Sequence, residues 1–257
     1  MATITLNQKN EFHQDRLTGH ESLSMREPFV WVRQGFADFK RIPGLSLLYG
    51  ILFSGLCLGI FYLTRNAPWY TVAYITGLAF VGPFLASGLY AASRDMGRGQ
   101  KPSVMASFRL IEKRKTYLGL FALMLTLVMA AWVRLSALVF AITYDGLIPN
   151  ANILNLSRLG DEALVAIVFF AVIGFLLAGV IFAVSAFAIP RILDRDADFV
   201  TAMGYSCKRV ARNLPAMAVW AAIIVALTAV GIATAFIGLA VIFPVLGYAT
   251  WHSYKAV

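Results

Sequence analysis

The chain has 257 residues, of which 60% are hydrophobic and only 14% charged, and its net charge is +9. Soluble domains run nearer half apolar and a quarter charged. The excess here lies in long unbroken runs, which excludes an ordinary soluble domain and indicates an integral membrane protein. In such a chain the positive charge points to cytoplasmic loops and anionic lipid rather than to nucleic acid.

Residues 1–27 are polar and lack the apolar centre of a secretory signal, so they read as a flexible cytoplasmic tail ahead of a transmembrane domain over 28–257. The next stretch, PFVWVRQGFADFKRIPG, repeats Phe29, Val32, Phe36 and Phe39 at helical spacing, with Arg33, Lys40 and Arg41 off that stripe. Such a helix is expected in the cytoplasmic interface, apolar face toward the acyl chains and basic residues toward headgroups. Two apolar runs follow, 45–63 and 71–92, and then a second amphipathic stretch with Val104, Phe108 and Ile111 on one face and Lys113, Arg114 and Lys115 behind it. Runs at 117–143 and 162–190 form the next pair. A third amphipathic stretch carries Phe199, Met203 and Val210 with Lys208, Arg209 and Arg212. The last apolar run, Leu214 to Ala249, would reach ~54 Å as one helix, far beyond a ~30 Å hydrocarbon core. A turn near Val230 to Ala235 is therefore expected, giving spans 214–231 and 233–252.

The expected fold is all-α: six transmembrane helices in three repeated hairpins, each preceded by a cytoplasmic interfacial amphipathic helix. Lysine and arginine crowd the segments before the first span, after the second and after the fourth, whereas the opposite connections hold only Arg65 and Arg158. Both termini are therefore expected in the cytoplasm. GLAFVGPFLASGLY (77–90) also aligns without gaps with GLAVIFPVLGYATW (238–251). Small residues four apart, Gly55 with Gly59, Gly174 with Ala178 and Gly179 with Ala183, provide faces for close helix approach. Packing within the bundle is the preferred role for them, and a face left over could dock another membrane subunit.

Few residues offer chemistry. Arg134 stands inside the third apolar run, toward its outer end. It is expected to reach the periplasmic surface, to pair with an acceptor, for which Asp145, Asp161 and Glu162 are the candidates, or to face a polar cavity or bind a lipid or partner group; facing the bundle interior and bonding acceptors there is the favoured arrangement. RILDRDAD holds Asp194, Asp196 and Asp198 together with Arg191 and Arg195 and reads as an exposed ion-pair ladder. His252 reads as an interfacial anchor beside Trp251 and Tyr254. Phosphate-loop, zinc and nucleophile-elbow motifs are lacking, and Cys57 and Cys207 are not expected to pair. No catalytic, metal or cofactor-binding residue is assigned.

The segments GPFLASGLYAASRDMGRGQKPS, SAFAIPRILDRDADFVTAMGYSCKRVARN and GLAVIFPVLGYATWHSYKAV resemble a bacterial family of integral membrane proteins labelled domain of unknown function 2189. The resemblance extends over about residues 28–257. Some members bear the label of cytochrome c oxidase subunit, so the resemblance implies a respiratory setting. With one histidine outside the polar tail, the chain lacks the ligands of a haem–copper core, and the implied role is accessory. The expectation is a non-catalytic protein of the bacterial inner membrane, an accessory or assembly component of a respiratory complex, with anionic lipids and other membrane subunits as partners. The alternative is a small-solute or lipid transporter or lipid-handling protein.

Overall fold

Prolines punctuate the chain, and the helices follow them. A computed structural model describes residues 23–143 and 161–257, with backbone alone at 68–69, 140–143 and 161–167. Helix α1 (Glu27–Arg41) carries Pro28 in its first turn, and Pro43 opens α2 (Pro43–Thr64). Pro68 opens α3 (Pro68–Leu85). Proline suits a first turn because its missing N–H would be unpaired there anyway. Near the end of α3, after Pro83, the helix breaks at Ala86 and continues as α4 (Ser87–Gly97). Two bonds then close α4, Gly99 N–H to the Met96 carbonyl and Gln100 N–H to the Asp95 carbonyl. Gly99 has φ +69°, the left-handed conformation that this helix stop requires.

Helix α5 (Val104–Lys113) is capped by the Ser103 hydroxyl, which accepts from Ala106 N–H at 3.0 Å. Helix α6 is Lys115–Thr143 and α7 is Asp161–Ser185, followed by the short α8 (Ala188–Arg195). Asp198 caps α9 (Phe199–Arg212), and Pro215 lies in the first turn of α10 (Leu214–Ala233). The chain ends with α11 (Leu239–Ala256). The two apolar runs at 71–92 and 162–190 are thus each a long helix with a short second helix after a break.

Among the described residues, five helical stretches are long and apolar enough to cross a membrane: Pro43–Thr64, Tyr70–Gly97, Lys115–Val139, Val168–Arg195 and Leu214–Ala233. The stretch expected as a sixth span, 233–252, is not among them. It is helical from Leu239, and the turn before it falls slightly later than expected, with Ala235 and Phe236 at φ 52° and 67°. The Ser54 hydroxyl holds that turn by donating to the Phe236 carbonyl at 2.7 Å.

Helix α11 is the organising element. It packs against α1, α2, α4 and α10, while α3 packs on α6. Its contact with α2 follows a stripe of small residues: Ser46, Gly50 and Ser54 are buried at a spacing of four. A Cβ at Gly50 would overlap the Ala240 carbonyl, so the two backbones touch there. Ser46 shares a 2.8 Å hydrogen bond with the Tyr248 hydroxyl. The same closeness recurs with α1, where a Cβ on Gly35 would meet the Val245 carbonyl oxygen at 2.5 Å.

The core gathers where α4, α8 and α11 meet α1, around Trp31, Leu89, Phe187, Ile192, Met217 and Tyr248. Trp31 meets Trp220 edge-to-face at 5.8 Å. Away from it, Leu52, Leu63, Leu127, Phe175 and Val225 stand exposed. In water such a surface would be unfavourable, whereas acyl chains solvate it.

Candidate functional site at the basic helix ends

The last turns of α1, α4, α8 and α11 come together, and each brings charge. Basic residues belong there, since the last carbonyls of a helix are unpaired and its C-terminus is partly negative. Arg94 shows the effect directly by donating from Nη1 to the Leu193 carbonyl at 3.3 Å. Two carboxylates with side chains 6% exposed lie among these cations, and a third, Asp95, sits 3.8 Å from Arg94 Nε.

Asp38 is the first. The Ser93 hydroxyl donates to its Oδ2 at 2.6 Å, and His252 Nε2 lies 2.8 Å from the same oxygen. Arg41 Nη1 is 3.8 Å from the other oxygen. The serine hydroxyl is thus spent on the carboxylate and not on the histidine, so the trio lacks the nucleophile–base contact of a hydrolytic triad. It ties α1, α4 and α11 together. Asp194 is the second. Arg98 reaches it at 2.9 Å, Lys255 at 3.4 Å and the Tyr254 hydroxyl at 3.3 Å, which fastens α8 to α4 and α11.

Between these two carboxylates lies a cavity of about 210 Å³, lined by Asp38, Arg41, Arg94, Arg98, Asp194 and Lys255 along with Ser93, Trp251 and His252. Among the described residues, no group of three or more His, Cys, Asp or Glu side chains is arranged to hold a metal ion.

The RILDRDAD acids are not an exposed ladder. Asp194 is buried in the network above, Asp196 pairs with Arg114, and Asp198 Oδ1 accepts from Thr201 N–H at 2.9 Å as the α9 cap. Hydrogen bonds from the Thr201 hydroxyl and amide hold the Asp198 carboxyl below its ordinary value. Each acid meets a different neighbour because the α8–α9 turn, with Asp196 at φ 55°, points them in different directions.

Of the residues expected to face lipid, Arg33, Lys40, Arg41, Lys113, Lys115, Lys208 and Arg212 are exposed. Two are corrected. Arg114 is turned inward by its pair with Asp196, and Arg209 is buried at 7% exposure, with its guanidinium 5.2 Å from the Tyr205 ring centre. Arg191 stands over the same ring at 3.8 Å. The small-residue faces also divide. Gly174 packs against Trp132, and Ala183 is half-buried. Gly55, Gly59, Ala178 and Gly179 are exposed rather than packed within the bundle, because the opposite faces of α2 and α7 meet their neighbours. Arg134 is exposed on α6 and does not turn into the bundle. Of its candidate partners, Asp145 lies outside the described residues, as do the side chains of Asp161 and Glu162.

Asp38 and Ser93 carry the site and were not singled out from sequence. The available signal was Asp38 in register with Pro28, Trp31 and Gly35, a buried stripe beside the more obvious phenylalanine one. The phenylalanine stripe instead leaves Phe29 and Phe36 exposed.

Residues 71–194 match the model of a family described as "Predicted integral membrane protein (DUF2189)". The matched stretch runs from α3 through nearly all of α8 and so includes Ser93, Arg94, Arg98 and Asp194, but neither α1 nor α11. No curated protein matches the chain, and no solved structure does. The long apolar helices and the matched segment lead to one conclusion: this is a multi-pass integral membrane protein, similar over residues 71–194 to the DUF2189 family.

Proposed function

We propose that the protein is a non-catalytic accessory or assembly component of a respiratory complex in a bacterial inner membrane, and that it works by docking a transmembrane helix of another subunit. One observation carries the docking. Gly55 and Gly59 are one turn apart on α2, both are exposed, and a Cβ at either would meet nothing within 4 Å. In lipid, helices associate through such notches, because small residues let backbones approach and gain packing contacts that acyl chains do not match. The respiratory setting, with cytochrome c oxidase as the candidate complex, comes from the labels of some family members alone. Purification in mild detergent followed by mass spectrometry tests both parts. Stoichiometric oxidase subunits are expected with the wild type, and the double variant Gly55→Leu, Gly59→Leu should lose them without losing thermal stability. A wild type that purifies alone overturns the reading.

This reading includes six spans, in three hairpins each preceded by an interfacial helix, with both termini in the cytoplasm. Helix α11 would be the sixth span. At 18 residues it extends ~27 Å, close to a hydrocarbon core, and neighbours shelter its polar residues. Exposed Phe29 on α1, Val104 and Phe108 on α5 and Val200 on α9, each near exposed basic residues, support an interfacial position for those three helices.

A second reading, a lipid- or solute-handling membrane protein, is favoured by the cation-lined cavity at the helix ends.

A further inference from the structure

We propose that the cavity between Asp38 and Asp194 is a binding site for a phosphate group, either the headgroup phosphate of an anionic lipid or a small soluble phosphate. The inference deepens the lipid- or solute-handling reading and is independent of helix docking at Gly55 and Gly59.

Charge is the first argument. Four cations line the cavity, Arg41, Arg94, Arg98 and Lys255, against two lining carboxylates, Asp38 and Asp194, and a third, Asp95, behind Arg94. Both lining carboxylates are already engaged, Asp38 by Ser93 and His252 and Asp194 by Arg98, Lys255 and Tyr254. Helix C-termini answer part of the remaining charge, as the Arg94 bond to the Leu193 carbonyl illustrates. They do not answer all of it. Arg94 Nε is buried without a hydrogen-bond partner, and its nearest carboxylate oxygen, on Asp95, is 3.8 Å away. A buried guanidinium donor left unpaired is costly, and an anion in the cavity is the group that would satisfy it.

Reach and size are the second argument. The side chains of Arg41, Arg98 and Lys255 are 70%, 48% and 53% exposed, so they stand at the mouth and can close over an entering anion. A cavity of about 210 Å³ lies below the ~300–1,000 Å³ of sites for drug-sized ligands and suits one compact polar group. Arginine and lysine together are the side chains that hold phosphate oxygens, arginine by paired N–H bonds and lysine as a point charge.

The test uses the full chain in detergent and in nanodiscs at constant ionic strength. Thermal unfolding is followed with inorganic phosphate added in detergent, and with dioleoylphosphatidic acid against dioleoylphosphatidylcholine in nanodiscs. The variant Arg41→Gln, Lys255→Gln changes only exposed side chains and is expected to fold. Arg109→Gln, Lys113→Gln removes two exposed cations that do not line the cavity and serves as control. The wild type and the control should melt at higher temperature with a phosphate probe, and the cavity variant should lose that rise. A rise with both inorganic phosphate and phosphatidic acid identifies a soluble phosphate as sufficient; a rise with phosphatidic acid alone identifies the headgroup. If neither probe raises the melting temperature of the wild type, the site is overturned. It is equally overturned if the cavity variant responds as fully as the control. In that last case, lipid seen bound by native mass spectrometry would leave the lipid-handling reading standing without this cavity.

Discussion

Arg134 is a full charge on a helix that is otherwise apolar, and its exposure on α6 decides how it is tolerated. A long side chain toward one end of a span can carry its guanidinium to the headgroup region at little cost. Arg134→Leu and Arg134→Lys are therefore expected to keep thermal stability in detergent within about 0.5 kcal/mol of wild type. A drop of several degrees in both would instead reveal an acceptor that depends on the arginine. Asp198 gives the opposite case, a charge with a structural task at the start of α9. Asp198→Ala should cost about 1 kcal/mol at neutral pH through loss of the cap. Because folding lowers the Asp198 pKa, its contribution is present above the unfolded value of ~4 and is lost as pH falls through the lowered one. Unfolding curves of the two proteins should therefore converge below about pH 4, and a gap that stays constant with pH would rule out the carboxylate as the source.

At the scale of elements, α2 offers a comparison within one helix. Its inner face places Gly50 against the Ala240 carbonyl, and its outer face leaves Gly55 open. Gly50→Ala should push α2 off α11 and destabilise by about 1–3 kcal/mol. Gly55→Ala adds the same methyl where nothing meets it and should be neutral or stabilising by up to about 1 kcal/mol through helix propensity. Melting temperatures of the two variants measured side by side decide the matter, and equal effects would contradict the described α2–α11 contact. Sequence reading found Gly55 and Gly59 but passed over Ser46, Gly50 and Ser54, which have the same spacing. Helix α2 is apolar nearly all round, so no polar stripe marks its outer face, and either small-residue row could have been the buried one.

For the whole molecule, the six-span reading with both termini cytoplasmic makes a labelling prediction. In a Cys207→Ala background, where the other native thiol, Cys57, is buried, single cysteines are placed at Asn66, Gln100 and Lys208. An impermeant thiol reagent added to intact cells should label position 66 and not 100 or 208. The reverse pattern, or labelling of all three, would end the topology.

Some of this architecture is written in the chain itself. Apolar runs of about 20 residues have no stable place except across a bilayer or inside protein, so membrane insertion and the helical class follow from composition and length. Prolines at first turns, and Ser103 and Asp198 as caps, act through local backbone bonding, so those helix starts were within reach too. The site was not. Asp38, Ser93, Asp194 and His252 are far apart in sequence, and each alone has an ordinary reading as an exposed or interfacial polar residue. Only the convergence of α1, α4, α8 and α11 buries the two acids, and burial obliges each to find partners. Local patterns specify which residues are helical; which face of a helix meets which neighbour is a property of pairs of helices, and the tertiary structure alone decided it.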